Sequence, residues 1–225
     1  MFTEYKVQLN NGHLIIDDHQ RILIDTGSPT SFHDTGQIDL CGDSYSVPQS
    51  IMNVTSEYLT TEVGCNVQRI LGMDIISKHP ILFDLHNNFI FVDDDAQYGS
   101  YLPSFKLPYN LICIEIKVNG KSVRLIADTG AKISYIDESI VEGLNPVDTK
   151  QDFSPLFGHF STDIYECDIQ FMANRPVILK FGVPPFLLSS FMSTMNVQGI
   201  LGLDFFKLYR LQLRDCILYF PPQGI

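Results

Sequence analysis

The chain has 225 residues, enough for one large domain or two small ones. Hydrophobic residues make up 45% and charged residues 18%, which supports a packed core and excludes global disorder. A net charge of −11 repels phosphate backbones and anionic membranes, so no nucleic-acid partner is expected.

The first residues, "MFTEYKVQLNNGHLII", lack a basic start followed by a long apolar stretch, so no signal peptide is expected. No run approaches the ~20 apolar residues of a membrane span. Five cysteines, an odd number without any Cys-x-x-Cys, fit free thiols in a reducing, cytoplasmic setting. The six histidines are scattered without ligand spacing, so no metal and no cofactor are expected.

In chain order, the continuous apolar residues 22–24 predict a strand buried on both faces, ending at Asp25-Thr26-Gly27. "RILGMDII" (69–76) predicts an apolar strand, then a short helix at 73–78. "ILFDLHNNFIFV" (81–92) reads as two strands around a polar turn. Residues 93–108 combine an acidic run with Gly99, Pro103 and Pro108 and no periodicity, the signature of a linker. "LICIEIKV" (111–118) alternates toward Asn119-Gly120, a hairpin turn in which both residues can take positive φ, and 121–127 return. That return strand ends at Asp128-Thr129-Gly130. A short helix is predicted at 136–143 and two strands within 165–181. "GILGLDFF" (199–206) and "LQLRDCILYF" (211–220) close the chain. Few windows read as long amphipathic helices.

The chain is a duplication. Setting Asp25 on Asp128 places Arg21 on Arg124, Thr26 on Thr129, Gly27 on Gly130, Ser31 on Ser134, Phe32 on Tyr135 and Asp34 on Asp137. Gly72 and Asp74 then match Gly202 and Asp204, and 81–92 matches 211–220. The expected division is a first lobe at 1–96, a linker at 97–108 and a second lobe at 109–225.

One Asp-x-Gly turn is weak evidence, since such turns are common. Two in a duplicated chain are different, because a pseudo-two-fold axis can bring both carboxylates face to face. At about 3 Å apart they cannot both ionise near neutral pH and share a proton. One can then act as base on a water while the other polarises a carbonyl.

The chain resembles the retropepsin-like aspartic proteases, with two lobes fused as in the pepsin-like enzymes. The resemblance rests on "IDTGS" (24–28), "ADTGA" (127–131) and the two "ILG" motifs at 70–72 and 200–202. It implies an all-β fold of two pseudo-symmetric β-barrel lobes with short helices, in which each Asp-Thr-Gly combines with its apolar-apolar-Gly motif into a psi-shaped loop. It further implies an endopeptidase with Asp25 and Asp128 as catalytic dyad, a polypeptide substrate and, with both half-sites in one chain, a monomer. Thr26 and Thr129 would lock the turns reciprocally, Gly27 and Gly130 would shape them, and Gly72 and Gly202 would let a strand pass behind.

The copies differ at Ser28 and Ala131. A hydroxyl at 28 can favour the charged form of Asp25, which would leave the shared proton on Asp128. They differ also in the interval between motifs, 130–202 against 27–72, which leaves room for a substrate-covering flap hairpin in the second half alone. "SPLFGHFSTDIYECDIQF" (154–171) fits it, with Phe157, Gly158, His159, Phe160 and Ser161 near the tip and Tyr165 as the nearest candidate for a flap tyrosine. Asp74 and Asp204 are expected to cap the helices that follow, Asp34 and Asp137 to serve turns or caps, and Lys132 to point to solvent. Two other readings are a catalytically silent peptide-binding module on the same fold and an actin-like or sugar-kinase ATP-binding fold. Ser28 fits the latter, but Ala131 does not.

Overall fold

The computed structural model describes residues 2–17, 21–51, 54–93, 99–154, 158–171 and 175–220. The first half contains β1 (Thr3–Asn10), β2 (His13–Ile16), β3 (Ile22–Ile24), β4 (Phe32–His33), β5 (Gln37–Leu40), β6 (Asp43–Ser46), α1 (Ser56–Val63), β7 (Arg69–Leu71), α2 (Met73–Ile76), β8 (Ile81–Asp84) and β9 (Phe89–Val92). After β10 (Ser104–Lys106), the second half contains β11 (Ile112–Val118), β12 (Lys121–Ala127), β13 (Ser134–Ile136), α3 (Glu138–Val141), β14 (Asp148–Ser154), β15 (Gly158–Gln170), β16 (Val177–Gly182), α4 (Phe186–Thr194), β17 (Gly199–Leu201), α5 (Leu203–Leu208), β18 (Leu211–Arg214) and β19 (Ile217–Tyr219).

The strands form two large sheets, ordered β19-β18-β8-β9-β1-β2-β3-β7-β4 and β10-β11-β12-β17-β13-β16-β15-β14, and a separate β5–β6 hairpin. The repeat is visible in both. β3 runs parallel to β7, with Ile24 opposite Leu71, and β4 runs antiparallel to β7. Likewise β12 runs parallel to β17, with Ala127 opposite Leu201, and β13 runs antiparallel to β17. Each apolar-apolar-Gly strand therefore lies between the strand that ends in Asp-Thr-Gly and the strand that follows it. Ile22, Leu23 and Ile24 are all buried, as a strand covered on both faces requires.

The β11–β12 hairpin turns at Asn119 and Gly120, both at positive φ (50° and 79°). The same chemistry turns β1 into β2 at Asn11 and Gly12, with φ of 45° and 81°. The same Asn-Gly pair stands in the sequence at both turns.

Two departures from the expected organisation matter. The last two strands pair not with the second half but with the first: Leu211, Gln212 and Leu213 of β18 lie opposite Phe83, Leu82 and Ile81 of β8. By hydrogen bonding, residues 211–219 lie with the first lobe, so the division by chain order at 97–108 is not the division by sheet. The rings of Phe83 and Phe206 meet edge to face at 5.3 Å across this seam, within one apolar core that joins the halves. The second departure is a pair of helices that short periodicity concealed. α1 begins with Thr55 accepting a hydrogen bond from the Tyr58 amide and stops at Gly64 (φ 74°). Its Leu59 and Val63 pack with Leu23, Phe32 and Ile70 behind the first psi loop. α4 buries Met192 with Ile126, Tyr135 and Ile200 behind the second. The two helices thus occupy equivalent places in the repeat.

Candidate active site

Asp25 and Asp128 emerge at the ends of β3 and β12, and each backbone is held by its own psi loop. The Asp25 amide donates to Leu71 O (3.0 Å) and the Asp128 amide to Leu201 O (2.9 Å). The Gly72 amide donates to Ser31 Oγ (2.8 Å) and the Gly202 amide to Ser134 Oγ (2.9 Å). A side chain on either glycine would collide with the loop it passes: an added Cβ on Gly72 comes within 2.8 Å of the Thr30 backbone, and on Gly202 within 2.7 Å of Ala131 O.

The two turns are locked to each other. The Thr26 amide donates to Thr129 Oγ1 (3.0 Å) and the Thr129 amide to Thr26 Oγ1 (2.9 Å). The hydroxyls continue onto the opposite strands, Thr26 to Ala127 O (2.9 Å) and Thr129 to Ile24 O (2.8 Å). Both threonines are fully buried. Four bonds shared by two residues leave the turns little freedom to separate.

This lock sets the carboxyl groups against each other, joined by a hydrogen bond. Each turn glycine lies against the opposite acid. A Cβ built on Gly130 would stand 2.5 Å from the Asp25 carboxyl, and one on Gly27 would overlap the Asp128 carboxyl. One oxygen of each acid is held by its own turn: Asp25 Oδ1 accepts from the amides of Gly27 (2.9 Å) and Ser28 (2.8 Å), Asp128 Oδ1 from those of Gly130 (2.8 Å) and Ala131 (3.2 Å).

The environments are not equal. Burial and then the charge of Asp128 hold the Asp25 pKa well above the usual carboxylate range. Burial raises Asp128 too, but the amides and the bond from Asp25 work against that rise. Both acids are thus pushed up, and the pair holds a proton in common near neutral pH. The Ser28 hydroxyl, expected to favour the charged form of Asp25, donates instead to Thr30 O (2.9 Å).

Residues 114–205 match the family model described as Aspartyl protease. No curated protein matches in sequence. The basic 7S globulin from soybean superposes with a TM-score of 0.53 at 9% identity, covering 99% of this chain and 95% of that one. The aspartic proteinase from Irpex lacteus gives 0.51 at 10% identity, covering 99% and 98%. The chain has the two-lobed fold of the pepsin-like aspartic proteases. An actin-like or sugar-kinase fold is thereby set aside, since neither lobe has that architecture.

The interval that is longer in the second half forms a hairpin of this fold. β14 and β15 pair from Asp148↔Ile164 to Ser154↔Gly158, so Gly158, His159, Phe160 and Ser161 lie at the start of β15, opposite Ser154, Phe153, Asp152 and Gln151. Phe157 lies outside the described residues. Tyr165 falls beyond the last β14 pair, opposite Phe181 of β16. It lines a cavity of about 820 Å³ with Asp137, Glu142, Leu144 and Phe186, which neither dyad acid borders. In the first half the described part of the same interval carries the shorter β5–β6 hairpin, whose Tyr45 hydroxyl is tied to His79 Nε2 (2.7 Å), itself bound to Asp93 (2.7 Å).

Four residues around the psi loops have partners that the repeat did not assign. His13, on the second strand of the first hairpin, hydrogen-bonds the Gly130 backbone, and burial with the nearby charge of Lys132 pushes its pKa down to about 4. It is therefore neutral at higher pH. Tyr135 donates to Asp152 (2.5 Å) and so ties the second psi loop to the β14 arm. Asp152 is buried, and that bond satisfies it. Asp74 was expected to cap α2 but accepts from the amide (2.8 Å) and hydroxyl (2.5 Å) of Ser31. Asp204, its counterpart, pairs with Lys207 at 2.9 Å. Asp137 does cap α3, accepting from the Ser139 amide, and Asp34 accepts from the Ser56 hydroxyl. Lys132 does not simply point to solvent, because its stem lies against Gly12.

Proposed function

We propose that the protein is an aspartic endopeptidase that hydrolyses peptide bonds with Asp25, Asp128 and a water molecule. The observation that carries this reading is the facing pair of unequal carboxyl groups on a pseudo-two-fold axis.

In this mechanism Asp128, charged, takes a proton from the water as its oxygen attacks the scissile carbonyl carbon. Asp25 gives its proton to the carbonyl oxygen, forming a neutral gem-diol. Asp128 then passes its proton to the amide nitrogen as the C–N bond breaks, and Asp25 recovers one from a gem-diol hydroxyl. Atoms and charge balance over the cycle, and the side chains return to their starting states. The substrate is a polypeptide lying across the dyad. Both half-sites come from one chain, so the reading needs no second subunit.

Incubation with a diverse peptide pool between pH 4 and 7, read by mass spectrometry, tests the proposal. New termini are expected with the unaltered protein and none with Asp25→Asn. Peptide capture without cleavage would establish a binding module instead. Cleavage that survives Asp25→Asn would remove the dyad from the mechanism.

A further inference from the structure

Both arms of the β14–β15 hairpin touch the opposite lobe, and what they touch is α1. The Phe153 ring on β14 meets the Tyr58 ring at 5.4 Å and 63°. His159 on β15 stands 3.5 Å from Glu62 through Nε2 and Oε1. Phe153 and His159 lie opposite each other in the hairpin register and their rings pack at 4.9 Å. Two neighbouring hairpin residues thus meet two residues one helical turn apart on α1, where positions i and i+4 share a face.

The helix is itself anchored to the dyad's surroundings. Asn11, in the first hairpin turn, donates to the Glu62 carbonyl (2.9 Å). The next two residues of that turn reach the other lobe: Gly12 lies against Lys132, and His13 bonds Gly130. A closed ring of contacts results, from the second Asp-Thr-Gly turn through the first hairpin to α1 and back across the β14–β15 hairpin. Glu62 is mostly buried, with a side chain 18% exposed, whereas His159 is 67% exposed. The contact is therefore a seat on the helix side and a movable piece on the hairpin side.

We propose that α1 is the seat onto which the β14–β15 hairpin latches, and that Tyr58 and Glu62 set how often the cleft opens to a polypeptide. Among the described residues of the first half, the β5–β6 hairpin is tied to His79, and α1 is the element that meets the β14–β15 hairpin. A chain threading to Asp25 and Asp128 must enter beneath this bridge or part it. The gating role rests on the reading of the cleft as proteolytic, but the latch does not.

Amide hydrogen exchange of the full chain measures latch opening without any turnover, so its result is separable from the presence of activity. Glu62→Lys removes the carboxylate that faces His159 and is expected to speed exchange of amides 152–154 and 158–160 about 2- to 5-fold, the scale of a partly exposed polar contact. Combining it with His159→Glu reverses the polarity and returns the exchange to its starting rate. Phe153→Ala removes the ring contact and is expected to speed it about 2- to 10-fold. The β11–β12 hairpin serves as the internal control and stays unchanged in all three. Unchanged exchange in Glu62→Lys or in Phe153→Ala, or a reversed pair that remains fast, overturns the latch.

Discussion

Thr26 and Thr129 each accept a hydrogen bond from the other's amide and each donate to the strand before the other's aspartate. Neither turn can rotate without breaking bonds in both lobes, so the distance between the acids is set by buried polar geometry as much as by apolar packing.

Replacing Thr129 with Val keeps the shape and removes both hydroxyl bonds, leaving the buried Thr26 amide and Ile24 carbonyl unsatisfied. A loss of about 2 to 4 kcal/mol is expected in urea unfolding. Thr129→Ser keeps the hydroxyl and should lose less than half of that. Equal losses in the two variants would mean that the methyl, not the hydroxyl, matters.

The dyad makes stability depend on pH with a definite sign. The Asp25 pKa is raised in the folded state above the ordinary value of 3.8, so the folded chain binds the proton more tightly than the unfolded one. The resulting stabilisation is complete below that ordinary value and is lost as pH rises through the folded pKa. Asp25→Asn has no such proton. Unfolding of both forms from pH 3 upward should therefore show the unaltered protein losing ground steadily to the variant above about pH 4. A difference independent of pH would place the proton elsewhere.

In the proposed mechanism the two acids give the pH–rate profile its two limbs. The alkaline limb of the pH–rate profile should report the loss of the Asp25 proton and fall above the ordinary carboxylate range. The acid limb should report protonation of Asp128. Since the Ser28 hydroxyl bonds Thr30 and not the acid, Ser28→Ala should leave both limbs in place. A limb displaced by that substitution would restore the serine to the dyad.

Glycines of this chain should separate into two classes. An added Cβ on Gly120 meets nothing within 4 Å, so Gly120→Ala should cost only the strain of its positive φ, about 1 to 2 kcal/mol, with turnover unchanged. Gly27→Ala must push the Asp128 carboxyl aside. A displacement of that size at reacting groups should lower turnover about 100-fold or more. Steady-state rates of the two variants, with thermal unfolding beside them, check both halves.

What the amino-acid sequence determined was whatever recurs or is local. The two Asp-Thr-Gly turns, their glycine partners and the Asn119-Gly120 hairpin were legible, because a turn's chemistry is written in adjacent residues and a duplication repeats it. Two short helices were not legible: α1 and α4 owe their place to Leu59, Val63 and Met192 packing behind the psi loops, and so few buried positions give no periodic signal. His13, Tyr135 with Asp152, and Asp74 gained their partners from segments far away in the chain. Tertiary structure alone decided that β18 joins β8 in the other half, that both acids are buried against each other with raised pKa values, and that the hairpin of one lobe rests on the helix of the other. Strand pairing and carboxyl burial depend on which surfaces come to face each other, and sequence spacing carries no record of that.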